Sequence, residues 1–182
     1  MLTKTWCYVE TPLPFPASLP TEARTTEFSP CRQYRYTLWR TWDMFLPTSL
    51  MVVGLNPSTA DATQDDPTVR RCIDYAKRWG YGALCMTNIF GYRSTDPTHL
   101  GRIADPVGPA NDAWLLTCAH AASLILVAWG VHGQRHGRAF QVETLLAPFE
   151  LRCLGRTREG FPRHPLYVAK HQEALLYRSP VG

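Results

Sequence analysis

Lysine is almost missing from this chain. Lys4, Lys77 and Lys170 are the only three, so arginine carries nearly all of the positive charge behind a net charge of +4. A planar guanidinium suits phosphate and carboxylate, so an anionic partner is permitted, but a charge this mild does not demand one. Paired cysteines are lacking too. The six stand at 7, 31, 72, 85, 118 and 153, with no C-x-x-C and no histidine at a ligand-like spacing, which argues against a zinc finger or ribbon. There is no uninterrupted run of about 18 apolar residues and no signal peptide. The chain therefore reads as cytoplasmic, with reduced thiols and no membrane partner. What it does have is apolar substance: 45 % of its 182 residues are hydrophobic, enough for a sizeable core.

Residues 1–30 hold Pro12, Pro14, Pro16, Pro20 and Pro30 among serines and threonines, and are expected to run as an irregular extension. Residues 31–182 then read as one domain. The alternation in "YRYTLWRTW" predicts a strand at a sheet edge, with Arg35 and Arg40 on its outer face. "SLMVVGLN" is a short apolar run of the kind that forms a buried parallel strand. After it, Asp66 can cap a helix, Pro67 takes its first turn and Gly80 follows its last, while Val69, Cys72, Ile73, Ala76 and Trp79 recur on one face. "ALCMTNIF", "SLILVAWG" and "ELRCLG" supply three more strands, with helices expected over 111–122 and 134–146.

This alternation predicts an α/β fold, a three-layer αβα sandwich around a mainly parallel four-stranded sheet, with the edge strand added. Ligands of such sheets bind beyond the carboxyl ends of the strands. Here those ends carry Asn56, Asn88, the Trp129–Gly130 turn and the His164 loop, which are expected to meet in one crevice.

Asn56 lies between Gly54, where the backbone can turn sharply, and Pro57, which restricts the asparagine's own backbone. Its amide can orient a water molecule, or it can simply close an Asx turn. Asn88 repeats the arrangement, and its paired donor and acceptor match a nucleobase edge. His164, between Arg163 and Pro165, offers an imidazole to a carbonyl oxygen that gains charge. Arg152, Arg156, Arg158, Arg163 and Lys170, opposed only by Glu159, form the most basic stretch.

Taken in order, "VVGLNPS", "TNIFGYR", "LVAWG" and "HPL" resemble the motifs of the uracil-DNA glycosylase superfamily. The chain is also identified as a member of a bacterial and phage family of unknown function, on "NPSTAD", "DDPT", "RSTDP", "GPAND", "AWG" and "HPLY".

The superfamily resemblance implies a base-excising fold without metal or organic cofactor. Asn56 would orient the water that attacks the anomeric carbon, Asn88 would read the base, and His164 would stabilise the departing base as an anion. Gly54, Pro57, Ser58 and Phe90 would complete the base pocket. Uracil-specific members often carry a large aromatic after the first-motif proline, so Ser58 implies a wider pocket that accepts thymine or a bulkier base. The four-cysteine pattern of the iron-sulfur members is absent. Asp61, close behind Asn56, is a candidate general base. DNA would meet Arg93 together with the basic stretch, and Leu166 or Tyr167 is placed to act as a wedge behind a flipped base.

The expected function is thus N-glycosidic hydrolysis at a modified or mismatched base in DNA. Two alternatives stay open: a non-catalytic binder of a nucleobase, nucleotide or nucleic acid, and a hydrolase of a free nucleoside or nucleotide. Nothing in the residues fixes the oligomeric state.

Overall fold

A computed structural model describes residues 24–58, 60–61 and 63–180. The expected extension over 1–30 lies mostly outside these residues. Its end does not: Arg24–Phe28 forms β1, a regular strand where irregular chain was expected.

Strand β2 (Arg35–Thr41) pairs antiparallel with β1 and, on its other side, with β4 (Ala83–Asn88). The "YRYTLWRTW" strand is therefore interior, and β1 is the edge. Beyond β4 lie β3 (Ser49–Gly54), β5 (Leu124–Val127), β6 (Leu151–Cys153) and β7 (Leu175–Arg178), giving the order β1-β2-β4-β3-β5-β6-β7. The four strands expected from the apolar runs are the parallel block β4-β3-β5-β6. The sheet is larger than predicted: seven strands among the described residues, and mixed, because β1, β2 and β7 flank that block with antiparallel pairings.

Both faces of the block are covered. Helix α1 (Pro67–Arg78) packs Val69, Cys72, Tyr75 and Ala76 against Leu38, Leu50, Val52, Leu84, Met86 and Leu126. On the opposite face, α2 (Asn111–Ala121) and α3 (Arg138–Leu145) pack Leu115, Cys118, Ala139 and Val142 against Trp39, Met51, Val53, Cys85, Ile125 and Val127. Side chains alternate across each strand, so neighbouring residues serve opposite cores. Burying one leucine or valine in this way contributes roughly 1.5–3 kcal/mol.

Helix α1 begins where the sequence marks it. The Asp66 carboxylate accepts the Val69 N–H at 2.8 Å, Pro67 fills the first turn, and the left-handed Gly80 (φ +79°) ends the element. Helix α3 starts four residues later than expected. Arg135 is extended and both His136 (φ 54°) and Gly137 (φ 65°) are left-handed, so the segment Val131–Gly137 is a separate, kinked 3₁₀ stretch.

Arg35 and Arg40 are buried, not outward. The ladder slips by one residue near Tyr36: Glu27 pairs with Thr37, but Phe28 pairs with Arg35. The bulge returns Arg35 to the face of Leu38 and Arg40, which the loop at 60–66 covers. There Arg40 donates to Asp65 (2.8 Å), to the Trp39 carbonyl (2.7 Å) and to the Asp61 carbonyl.

Cys72, Cys85, Cys118 and Cys153 are free and buried, as small core residues should be. No helix among the described residues is long and apolar enough to cross a membrane.

Candidate functional site

A cavity of about 580 Å³ opens beyond the carboxyl ends of the parallel strands. Gly54 and Asn56 line it from the end of β3, Met86 and Asn88 from β4, Trp129 and Gly130 from the turn after β5, and Arg163 and His164 from the loop after β6. The four strand ends therefore do converge. Parallel strands in register put their termini side by side, with Gly54 opposite Asn88.

Asn88 is 3 % exposed, and its Nδ2 is buried with no hydrogen-bond partner among the described residues. A buried unpaired donor is costly, on the order of 1–3 kcal/mol, and a ligand acceptor would remove that cost. The backbone around it is fixed from behind: Asn111 Nδ2 donates to the carbonyls of Asn88 (3.0 Å) and Ile89 (3.2 Å), and Arg138 Nε to Ile89 (2.7 Å). Arg138 is itself held by Asp112. Gly54 makes room in front, because a Cβ there would stand 2.8 Å from Asn88 Oδ1. Sequence reasoning missed Asn111, Asp112 and Arg138; "GPAND" was the signal, since it places an asparagine and an aspartate at the start of α2.

Asn56 Nδ2 donates to the carbonyls of Ser94 (2.7 Å) and Pro57 (3.1 Å). Its amide is thus oriented, with Oδ1 left as the acceptor available to a ligand or water.

His164 Nδ1 accepts the Leu166 N–H at 3.3 Å, at the start of the short 3₁₀ turn Pro165–Tyr167. Burial lowers its pKa below the ordinary histidine value, with Asp66 opposing the shift. The ring is therefore neutral at pH 7, and because Nδ1 is an acceptor, its proton sits on Nε2. Arg71 Nη1 donates to the Val168 carbonyl (3.0 Å) and Tyr75 Oη to that of Ala169 (2.8 Å), tying this loop to α1. The Gly130 N–H donates to the Pro162 carbonyl (2.9 Å) and ties it to the strand end.

The remaining predicted residues divide. Ser58 lines the cavity, and Tyr167, 78 % exposed, stands at its edge with its ring 5.5 Å from that of His164. Leu166 is exposed beside it and does not line the cavity. Pro57 is buried behind the site, its carbonyl accepting from Asn56 and Ser94. Phe90 is fully buried in the core on the α2 side: β4 ends at Asn88, so the alternation that would aim Phe90 into the cavity lapses.

Asp61 is not in the cavity either. Its Oδ1 accepts from the Thr63 N–H, the Thr63 hydroxyl and the Gln64 N–H at 2.8, 2.8 and 2.9 Å. Those donors, Gln64 first, hold its pKa down at about 2, too low for a useful base near neutral pH. Asp66 is the carboxylate that lines the cavity.

Of the basic stretch, Arg152 pairs with Glu150 at 2.7 Å, and Arg156 stacks on Tyr177 while donating to its carbonyl. Arg158 and Lys170 are exposed, and Arg163 lines the cavity. A more concentrated basic surface lies elsewhere. Arg32, Arg93, His99 and Arg102 line a second hollow of about 600 Å³ that shares Ser58, Ser94 and Thr95 with the first. The Arg32 and Arg93 guanidinium groups both lie on the Phe28 ring, at 4.5 and 4.9 Å.

Fold and site together define an α/β protein with a mixed sheet, whose central parallel strands open at their carboxyl ends onto a cavity lined by both apolar and polar side chains. The chain belongs to the family described as "Protein of unknown function (DUF1643)", whose model matches residues 35–166. No curated protein and no solved structure matches the chain.

Proposed function

We propose that this protein is a DNA glycosylase-like hydrolase, built on a uracil-DNA glycosylase-like fold, that releases a modified or mismatched base. The unpartnered, buried Nδ2 of Asn88 carries the reading. Asn88 lines a cavity that also holds a neutral imidazole donor, and a nucleobase supplies ring acceptors for both. With the base seated on Asn88, a water held by Asn56 Oδ1 adds to the anomeric carbon and loses a proton to Asp66. The glycosidic bonding pair leaves with the base, whose anion meets the Nε2–H of His164. The products are free base and an abasic sugar.

Ser58 at the cavity wall leaves space for a 5-substituent, in line with a modified pyrimidine. The second hollow offers a path for the strand. Three arginines and a histidine line it with no carboxylate among them, and it adjoins the cavity through Ser58, Ser94 and Thr95. Arg93 thus keeps its proposed nucleic-acid role, joined by Arg32 and Arg102, while Arg152 and Arg156 already have partners within the fold. Tyr167 serves as the wedge.

The test is an oligonucleotide panel carrying uracil, hypoxanthine, thymine mismatches and bulky 5-substituted pyrimidines, read as alkali-labile abasic sites. Cleavage of at least one member is expected, with Asn88→Ala and His164→Ala each abolishing it. A panel left intact by the native protein sinks the hydrolase reading. Retarded migration without cleavage, weakening as salt rises, would favour the binder in its place.

A further inference from the structure

Arg35 is used by no step of that reaction. It stands at the start of β2, 2 % exposed, and lines the cavity. Its Nη1 donates to the Ala60 carbonyl, its Nε is buried without a partner, and Nη2 has no hydrogen bond among the described residues. The contrast with the other buried arginines is direct. Arg40 has Asp65 and two carbonyls, and Arg138 has Asp112 and the Ile89 carbonyl.

No carboxylate stands within ion-pairing distance of Arg35 among the described residues. Asp66 and Asp61 attract it from further off, and Arg93 and Arg40 repel it. Burial lowers its pKa to about 10, which leaves it cationic at neutral pH. Asp66, the nearest opposing charge in the cavity, spends Oδ1 on the Val69 N–H at the start of α1, where the helix end also offsets its charge. Buried charges in folded proteins are paired or held by a ligand. Here the described residues supply no carboxylate at pairing distance, and the cavity supplies the access.

We propose that Arg35 is an oxyanion subsite: the molecule bound in this cavity carries a phosphate or carboxylate that the unpaired guanidinium donors engage. That goes beyond base excision and requires no bond to break. A nucleotide phosphate and an acidic substituent on a base both present the group, and they are distinguishable.

The experiment is calorimetric titration and thermal-shift measurement on the full chain at matched ionic strength. The probes are inorganic phosphate, deoxynucleoside 5′-monophosphates, 5-carboxydeoxycytidine and the uncharged parent deoxynucleosides. Charge-assisted pairing predicts that at least one anionic probe binds roughly tenfold or more tighter than its uncharged parent. Preference for the monophosphates assigns a nucleotide phosphate, and preference for the carboxylated base assigns a substituent. Arg35→Gln is expected to erase the preference and Arg35→Lys to retain part of it. Should Arg35→Gln not fold, the native protein still decides. Equal binding of charged and uncharged partners overturns the subsite, as does the absence of any anion-dependent rise in melting temperature. So does a folded Arg35→Gln variant that keeps the preference. Base release is not read at any point, so failure here is separable from failure of the glycosylase reading.

Discussion

Gly54 gives the sharpest access to the geometry, because adding one methyl group there tests how Asn88 is held. The two residues face each other across β3 and β4, and a Cβ on Gly54 would lie 2.8 Å from Asn88 Oδ1 and 3.7 Å from the Thr87 carbonyl oxygen. Nonbonded atoms settle near 3.5 Å, so the amide has to retreat by about 0.5 Å or more. Asn88 is 3 % exposed, and such overpacking costs about 1–3 kcal/mol. Alanine also restricts the unfolded chain, which returns about 0.4–1 kcal/mol. The net loss for Gly54→Ala is then on the order of 1–2 kcal/mol, a fall in Tm of roughly 2–8 °C for a domain of this size. Denaturant unfolding of a double-mutant cycle isolates the cause. In an Asn88→Ala background the opposing oxygen is gone, and Gly54→Ala should be neutral or stabilising, giving a coupling of about 1–2 kcal/mol. An equal cost in both backgrounds would refute the clash, and with it the claim that Gly54 is there to admit the Asn88 amide.

Behind the same amide, Asn111→Ala removes a donor from the buried carbonyls of Asn88 and Ile89, of which Ile89 keeps the Arg138 Nε–H. It should cost about 1–3 kcal/mol in denaturant unfolding; a cost below about 0.5 kcal/mol would mean these bonds do not set the backbone. His164 predicts a pH slope. Its folded pKa is depressed by burial, so the folded state binds fewer protons, and its contribution is present above the unfolded value of about 6.5 and declines as pH falls through the folded pKa. Native stability should therefore drop relative to His164→Gln between pH 7 and 5, and a constant difference contradicts a half-buried neutral ring. The thiols give a simple check of the core: burial raises the pKa of Cys72 and Cys85, and Cys118 and Cys153 are equally enclosed. An aromatic disulfide reagent should leave all four unmodified until denaturant is added, and rapid native labelling of any one would contradict the packing.

What the sequence disclosed and what it hid follow from how far each signal acts along the chain. Short apolar runs and the Asp66-Pro67 start are local, so the parallel block and α1 were legible, and with parallel strands the meeting of Asn56, Asn88, Trp129–Gly130 and His164 followed. β1 and β7 were not legible because their residues are half-exposed or exposed; β1 makes no apolar run, and that of β7 is only the four residues Ala174, Leu175, Leu176 and Tyr177. Phe90 was misplaced because a strand's alternation ends with its ladder, and Asp61 because its turn is closed by its own neighbours, Thr63 and Gln64.

Arg35 was hidden by two nonlocal facts, a bulge near Tyr36 and a loop that returns over β2 some 25 positions later in the chain. Those facts explain why the two arginines of one strand differ. The loop meets Arg40 with a carboxylate, Asp65, but meets Arg35 with a single carbonyl, from Ala60. Had burial alone been the need, the apolar stem of a methionine would fill the space without a charge. A guanidinium retained at the cavity wall and left without a carboxylate by the described residues is what the proposed anion subsite would explain, and it is a feature the sequence alone conceals.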